Sequence, residues 1–250
     1  MRHVFPTMGT VASIELPDDH AHRLADLRAI FRATQARYSL FDVDSELSLI
    51  ARGALDLTDS SDAMRETYLR ALEWRTATAG LFSPHRPDGI LDLNGIVKAD
   101  AIEQAGAHLD AVGCDRWTIN VGGDILVRGA DDPWVIGIAD PTDAQGLISS
   151  VSLRPPRRAV ATSGSAQRGD HIWLGGDPGP ARFVQVTVVA DDIVTADVLA
   201  TAIVAGGREA LDDIADRWPI DVLAVDREGQ ILATPGLRPQ PPAEVTRMAG

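Results

Sequence analysis

Helical and extended patterns of apolar residues follow one another along this chain. Leucine and aromatic residues recur every three or four positions over His20 to Tyr38, and again over Asp62 to Ala79 before Gly80. This spacing puts them on one face, so each stretch predicts an amphipathic helix. His3 to Leu16 instead indicates two short strands, broken where proline and glycine oppose a regular ladder. The first part of the chain is therefore predicted to mix strands with helices.

The middle of the chain is mostly extended. Short runs rich in valine and isoleucine are separated by Asp-Pro turns, which is typical of successive strands. The predicted strands are Trp117 to Val121, Ile125 to Arg128, Trp134 to Ala139, Ile148 to Leu153, Arg158 to Thr162 and Phe183 to Val189. Thr162 to Ser165 is predicted to be a small polar turn.

The stretch from Leu91 to Asp124 carries the first candidate chemistry. It predicts a polar turn over Asp92 to Lys98, a helix ending at Gly113, a strand, and a Gly-Gly turn before Asp124. Backbone N–H groups of the polar turn, a helix N-terminus and the lysine supply what a phosphate or pyrophosphate needs. Each part alone also fits an ordinary turn or a solvated lysine, but together they favour an anion site.

A second informative stretch is Asp191 to Gly207. It predicts a short helix with Thr195 as its N-cap and with the final glycines as its stop. Asp197 and Thr201 are four residues apart and therefore share a face. A carboxylate and a hydroxyl are hard oxygen ligands that suit Mg²⁺. The alternative, an aspartate that serves only the helix dipole, stays open from the spacing alone.

Composition narrows the classes of function. With 250 residues and 45% apolar content, the chain can bury a sizeable core as one domain over residues 1–236, or as two intimately packed lobes. Residues 237–250 indicate a proline-rich tail. The formal charge of −13 argues against nucleic acid as a partner. The sequence shows no signal-peptide pattern and no long apolar run, so we expect no membrane insertion and a cytoplasmic location.

Eight short motifs resemble, in the same order, those of the ApbE family of FAD:protein FMN transferases. They are Met8-Gly9-Thr10, Ser39 to Phe41 with Asp44 to Leu47, Gly80 to Phe82, Asp92 to Lys98, Asn120 to Asp124, Ala161 to Gly164, His171-Ile172 and Ala196 to Thr201. One motif alone is weak, whereas the ordered set spans nearly the whole chain and is specific. The resemblance implies an α+β, T-fold-like arrangement of mixed and antiparallel β-sheets flanked by helices.

The resemblance also implies a Mg²⁺-dependent enzyme. Such an enzyme splits the pyrophosphate of FAD, releases AMP and leaves FMN phosphoester-linked to a threonine or serine of an acceptor flavoprotein. By this likeness Asp197, Thr201 and the backbone oxygen of Val97 hold the metal. FAD is expected to contact Met8, Phe41, Leu81, Phe82, Ser83, Asn94, Asp100 and Ile172, with Lys98, Asp124, Thr162, Ser163 and Gly164 lining the pocket.

His171 is the candidate base for the acceptor hydroxyl. It stands in a family-like motif, and the ordinary histidine pKa of about 6.5 suits proton removal; a structural role is the alternative. The loop from Trp173 to Pro180 departs from the usual Asp-Pro-Arg-Thr-Gly of relatives, and Asn94 and Ser83 also differ from the usual residues. An FAD pyrophosphatase or a non-catalytic flavin carrier would need the same pocket, although the predicted metal pair favours an enzyme.

Overall fold

The computed structural model describes residues 1–129, 132–143, 145–164 and 183–237. The strands are β1 (Arg2–Thr7), β2 (Thr10–Glu15), β3 (Trp117–Val121), β4 (Asp124–Arg128), β5 (Trp134–Ala139), β6 (Leu147–Leu153), β7 (Ala159–Gly164), β8 (Phe183–Ala190), β9 (Asp221–Asp226) and β10 (Ile231–Ala233). The helices are α1 (Leu24–Tyr38), α2 (Glu46–Ala51), α3 (Asp62–Ala77), α4 (Asn94–Ala111) and α5 (Ile193–Arg217). The predicted tail from residue 238 onward lies outside the described ranges.

One eight-stranded sheet organises the molecule. Its order is β1-β2-β3-β4-β7-β8-β9-β10, and each pair of neighbours is antiparallel. The β5–β6 hairpin forms a separate two-stranded sheet. Gly122 and Gly123 both have positive φ, which allows the tight turn that pairs Val121 with Asp124. The α+β class with antiparallel sheets is thereby confirmed.

The two faces of the sheet are covered differently. α4 and α5 pack together on one face, with α1 against α4, and the main core lies between these helices and the strands. The β5–β6 hairpin packs on the other face, where Ile138 and Leu153 meet valines of β4, β7 and β8. Within the described ranges, no helix has the length and apolar character needed to cross a membrane.

The start of α4 differs from the predicted polar turn. The helix begins at Asn94, where the Asp92 carboxylate accepts the Asn94 N–H at 2.9 Å, so Lys98 lies in the second turn of the helix. Leu93 and Ile96 are fully buried. The Asn-Gly pair favours a turn, but the burial of these two side chains stabilises a helix here. Tertiary packing therefore outweighs local propensity.

Two other boundaries also differ from the prediction. The segment Thr162 to Gly164 is the end of β7 and not a turn. In α5 the N-cap is Asp192, whose side chain accepts the Thr195 N–H at 2.7 Å. Gly207 has φ 67° and ψ −148°, which kinks the helix without ending it. The helix continues after the kink because Leu211 and Ile214 are buried in the core.

Candidate active site

A buried lysine lies at the point where α4, β4 and α5 meet. The Lys98 ammonium forms an ion pair with the Asp124 carboxylate and lies 3.9 Å from Oδ2 of Asp197. The side chains of Lys98, Asp124 and Asp197 are 9%, 0% and 5% exposed. We call these three residues the lysine cluster. The structure thus brings together three residues that the sequence placed in separate motifs.

Asp124 is fixed by the turn before it and by the neighbouring strand. The Asn120 side-chain oxygen accepts the Gly123 N–H at 3.0 Å, which stabilises the β3–β4 turn. Oδ1 of Asp124 accepts the backbone N–H of Thr162 on β7 at 3.3 Å. Because Asp124 has no exposed surface, it borders the predicted pocket only through Lys98. Its carboxylate therefore joins β4, β7 and α4.

The hydroxyl groups predicted for the site lie on β7 and α5. Oγ of Ser163 is 3.1 Å from Oγ1 of Thr201, so the end of β7 meets the face of α5 that carries the predicted metal pair. Thr162 points elsewhere in the sheet, with its hydroxyl 2.9 Å from that of Thr187 on β8. Asp197 is 4% exposed and precedes Thr201 by one helical turn.

These donors fit a hard cation that keeps part of its water shell. Asp197 and Thr201 offer a carboxylate and a hydroxyl on one helix face, and the lysine cluster carries two carboxylates for one ammonium. Among the described residues, no three His, Cys, Asp or Glu side chains group as a metal cage. Mg²⁺ is commonly held by one or two carboxylates, with waters and phosphates completing its octahedron.

The segment after α3 packs at the start of α4. A Cβ atom at Gly95 would lie 2.8 Å from the Phe82 ring, and one at Gly206 would lie 2.9 Å from Leu81. Gly95 therefore allows the close approach of the Phe82 ring, whereas a side chain at Gly206 would first meet Ala210 at 2.4 Å. Phe82, which is 3% exposed, packs beside the first turn of α4, which contains Asn94. Leu81 packs instead against α5 at Gly206, and Oγ of Ser83 accepts the His85 N–H at 3.1 Å.

Met8 is half-buried against the main core, whereas Phe41 lies at the surface. Met8 has a left-handed φ of 47°, and its N–H donates to the Gln35 side chain at 2.9 Å. Phe41 follows α1 and is 95% exposed. Such an exposed aromatic ring is free to stack on a planar ligand. That the ring meets a flavin or an adenine stays a prediction.

Asp100 faces away from the lysine cluster. Lys98 and Asp100 are two residues apart on α4, about 200° around its axis, and Asp100 instead forms an ion pair with Arg70 of α3. Its carboxylate lines a cleft of about 530 Å³ between α1, α3 and α4. Arg70 belongs to none of the motifs, so sequence reasoning had no signal with which to find this pair.

Burial raises the pKa of Asp100 to about 6, against the opposing effect of the Arg70 charge. The folded protein therefore binds this proton more tightly than the unfolded chain, whose aspartates have a pKa near 3.8. Protonated Asp100 contributes about 3 kcal/mol to the free energy of unfolding. This contribution is fully present below about pH 4 and is lost as the pH rises through 6.

Replacing Asp100 by asparagine should remove this pH dependence. We expect D100N to match the wild type in urea unfolding near pH 4, and to be more stable by about 3 kcal/mol at pH 7.5. D212N is a matched control, because the exposed Asp212 pairs with Arg208 on the surface of α5. An advantage of D100N that stayed constant with pH would contradict this prediction.

Two predicted residues lie outside the described ranges. They are His171, the candidate base, and Ile172, the candidate FAD contact. Their roles stay predictions.

Comparison with known proteins relates the chain to the ApbE family. The model of the ApbE family matches residues 84–224. The FAD:protein FMN transferase of Rhodobacter capsulatus is 34% identical over 177 residues, which are 65% of this chain and 33% of that protein. The transferase of Vibrio cholerae is 28% identical over 170 residues, 63% of this chain and 51% of that protein. The chain thus spans about a third to a half of the length of these curated relatives.

Solved structures show the same fold. The ApbE protein of Thermotoga maritima superposes with a TM-score of 0.79 at 20% identity, covering 94% of this chain and 97% of that one. Flavin transferase ApbE from Vibrio cholerae gives a TM-score of 0.73 at 23% identity, with the same coverage. The matched region, residues 84–224, contains the whole lysine cluster and Thr201. The chain belongs to the ApbE family.

Proposed function

We propose that this protein is a Mg²⁺-dependent FAD:protein FMN transferase. It would transfer FMN from FAD to a threonine or serine hydroxyl of an acceptor flavoprotein and release AMP. The observation that carries the proposal is the buried lysine cluster beside the Ser163–Thr201 hydroxyl pair. It offers a cation for phosphate oxygens and hard oxygens for a metal within one small region. The named activity of the curated relatives supports the same reaction.

Asp197, Thr201 and the backbone oxygen of Val97 would hold Mg²⁺. When bound, the metal neutralises pyrophosphate charge and polarises the phosphorus that is attacked. Lys98 would donate hydrogen bonds to a phosphate oxygen, because its ammonium is held in place by Asp124. The Asn94 N–H is already taken by the Asp92 carboxylate, so at this end of the helix the Gly95 N–H would add positive potential.

The rest of FAD would extend over the segments that pack around α4. Leu81 to Ser83 would contact it near the start of α4 and near Gly206 of α5. The half-buried Met8 and the exposed Phe41 would offer apolar surface to its rings. Asp100 would reach FAD only through the cleft between α1, α3 and α4, since its side chain faces that cleft.

The transfer step itself needs a nucleophile and a base. The acceptor hydroxyl oxygen attacks the phosphorus on the FMN side, forming one P–O bond while the P–O bond to AMP breaks. The hydroxyl proton passes to a base, for which we propose His171. AMP leaves with the bridging oxygen.

The proposal predicts a defined response to FAD, Mg²⁺ and EDTA. Two negative charges of FAD must enter a protein of net charge −13, so binding should weaken without the metal. We expect FAD to bind in EDTA through its rings but with lower affinity, and AMP release to stop completely. Titration of flavin fluorescence and chromatographic measurement of AMP, each with Mg²⁺ and with EDTA, check this.

The acceptor distinguishes the three candidate functions. AMP release that requires an acceptor domain, together with covalent flavin on that domain, supports the transferase. AMP release at the same rate without an acceptor would indicate an FAD pyrophosphatase. FAD binding with no AMP release under any condition would leave a flavin-binding protein, and no FAD binding would remove the flavin hypothesis.

A further inference from the structure

In the lysine cluster two carboxylates compete for one ammonium, which contacts only one of them directly. Lys98 is one ammonium between two carboxylates, in contact with Asp124 and 3.9 Å from Asp197. All three side chains are at least nine-tenths buried, so water screens their charges poorly. A small shift of the ammonium would shorten its 3.9 Å ion pair with Asp197 to a hydrogen-bonding distance.

Asp124 is anchored by contacts that do not involve Lys98. Its Oδ1 accepts the Thr162 N–H of β7, and it follows directly on the turn that Asn120 stabilises. The carboxylate is therefore fixed to the sheet, whereas Lys98 reaches it on a long flexible side chain. The fixed partner determines where the ammonium lies.

We propose that Asp124 is a positioning residue that holds the Lys98 ammonium off Asp197, and so limits the competition between Lys98 and a divalent cation for the Asp197 carboxylate. This inference rests on the metal site of the proposed function. Without the charge of Asp124, Lys98 turns to Asp197 and competes with the cation for the same oxygens. Asp124 thus acts on the metal site without being a ligand in it.

The test measures cation binding and not turnover. Mn²⁺ serves as the probe, because carboxylate and water ligands suit it as they suit Mg²⁺, and free Mn²⁺ is counted by electron paramagnetic resonance. In D124N the asparagine oxygen still accepts the Thr162 N–H, while the charge is removed. We expect the Mn²⁺ dissociation constant of D124N to rise about 10-fold or more, the scale for loss of a partner that orients a metal site.

The double variant D124N/K98M separates positioning from ligation. It removes the competing ammonium as well, so it should bind Mn²⁺ within about threefold of the wild type, well inside the 10-fold loss expected of D124N. Binding as weak as that of D124N would overturn the inference, because it would mean that Asp124 is itself a ligand or a purely structural residue.

The remaining outcomes are equally decisive. Unchanged Mn²⁺ binding in D124N would show that Asp124 does not control the site. If D124N fails to fold, the double variant still decides, because the inference requires D124N/K98M to fold and to bind Mn²⁺ within about threefold of the wild type. A wild type that binds no Mn²⁺ would remove the metal site and the proposed Mg²⁺ mechanism together, which distinguishes that failure from a failure of this inference alone.

Discussion

Replacing Asp197 by asparagine is expected to abolish Mg²⁺-dependent release of AMP from FAD. Asparagine has the shape of aspartate, and Lys98 keeps its ion pair with Asp124, so the fold should survive. What is lost is the only negative charge that α5 presents beside Thr201 in the proposed metal site. We expect the rate to fall by about 10²-fold or more, the scale for removal of one group that stabilises developing charge.

D213N is the matched control for this change. Asp213 lies on the same helix but is 62% exposed and pairs with Arg217, so its substitution should leave AMP release unchanged. Both variants should keep the thermal midpoint within a few degrees of the wild type, which calorimetry can check. Undiminished AMP release by D197N would contradict the metal assignment.

Much of the site could be predicted because it depends on local periodicity. The shared face of Asp197 and Thr201 follows from a spacing of four on any helix, whatever packs around it. The alternating valines of β8 and the glycine pair before Asp124 likewise indicate their elements directly. These features can be predicted because the periods of strands and helices are properties of the backbone itself.

Contacts between distant elements could not be predicted in this way. The ion pair of Lys98 with Asp124 joins α4 to β4, and the pair of Asp100 with Arg70 joins α4 to α3. A single sequence shows on which face of its helix each residue lies. It does not show which residue of another element that side chain contacts. The direction of Asp100 away from Lys98 follows from helix geometry, yet the cleft that it lines depends on how α1 and α3 pack.

The misplaced boundaries share one physical cause. Asn94-Gly95 and Thr162 to Gly164 have the composition of turns, but each belongs to a regular element in the structure. In both places buried neighbours and ladder or helical hydrogen bonds outweigh weak local preferences. The candidate site includes both segments, where Gly95 and Gly164 allow the close approach of Phe82 and of β8.

The largest loss of stability is expected from Gly164→Ala. β8 carries a bulge at Val184, since Phe183 pairs with Asp226 while Gln185 pairs with Val225. A Cβ atom at Gly164 would lie 2.2 Å from the Val184 carbonyl oxygen and 3.0 Å from Cα of Gln185. Backbone atoms cannot turn aside as a side chain can, so β7 and β8 would have to separate. We expect a loss of about 3 kcal/mol and a fall in the thermal midpoint of about 10 °C.

The same substitution tests whether the end of β7 positions the site. Separation of the strands would shift Ser163 away from Thr201, so AMP release should fall even at temperatures where the variant is folded. Gly137→Ala in β5 is the control, because its nearest neighbours are the ends of the exposed Leu147 side chain, which can move. That variant should lose less than about 1 kcal/mol and keep its activity. Equal thermal midpoints for the two alanine variants would show that β7 and β8 accommodate a methyl group at Gly164, and that this close approach is not what fixes Ser163.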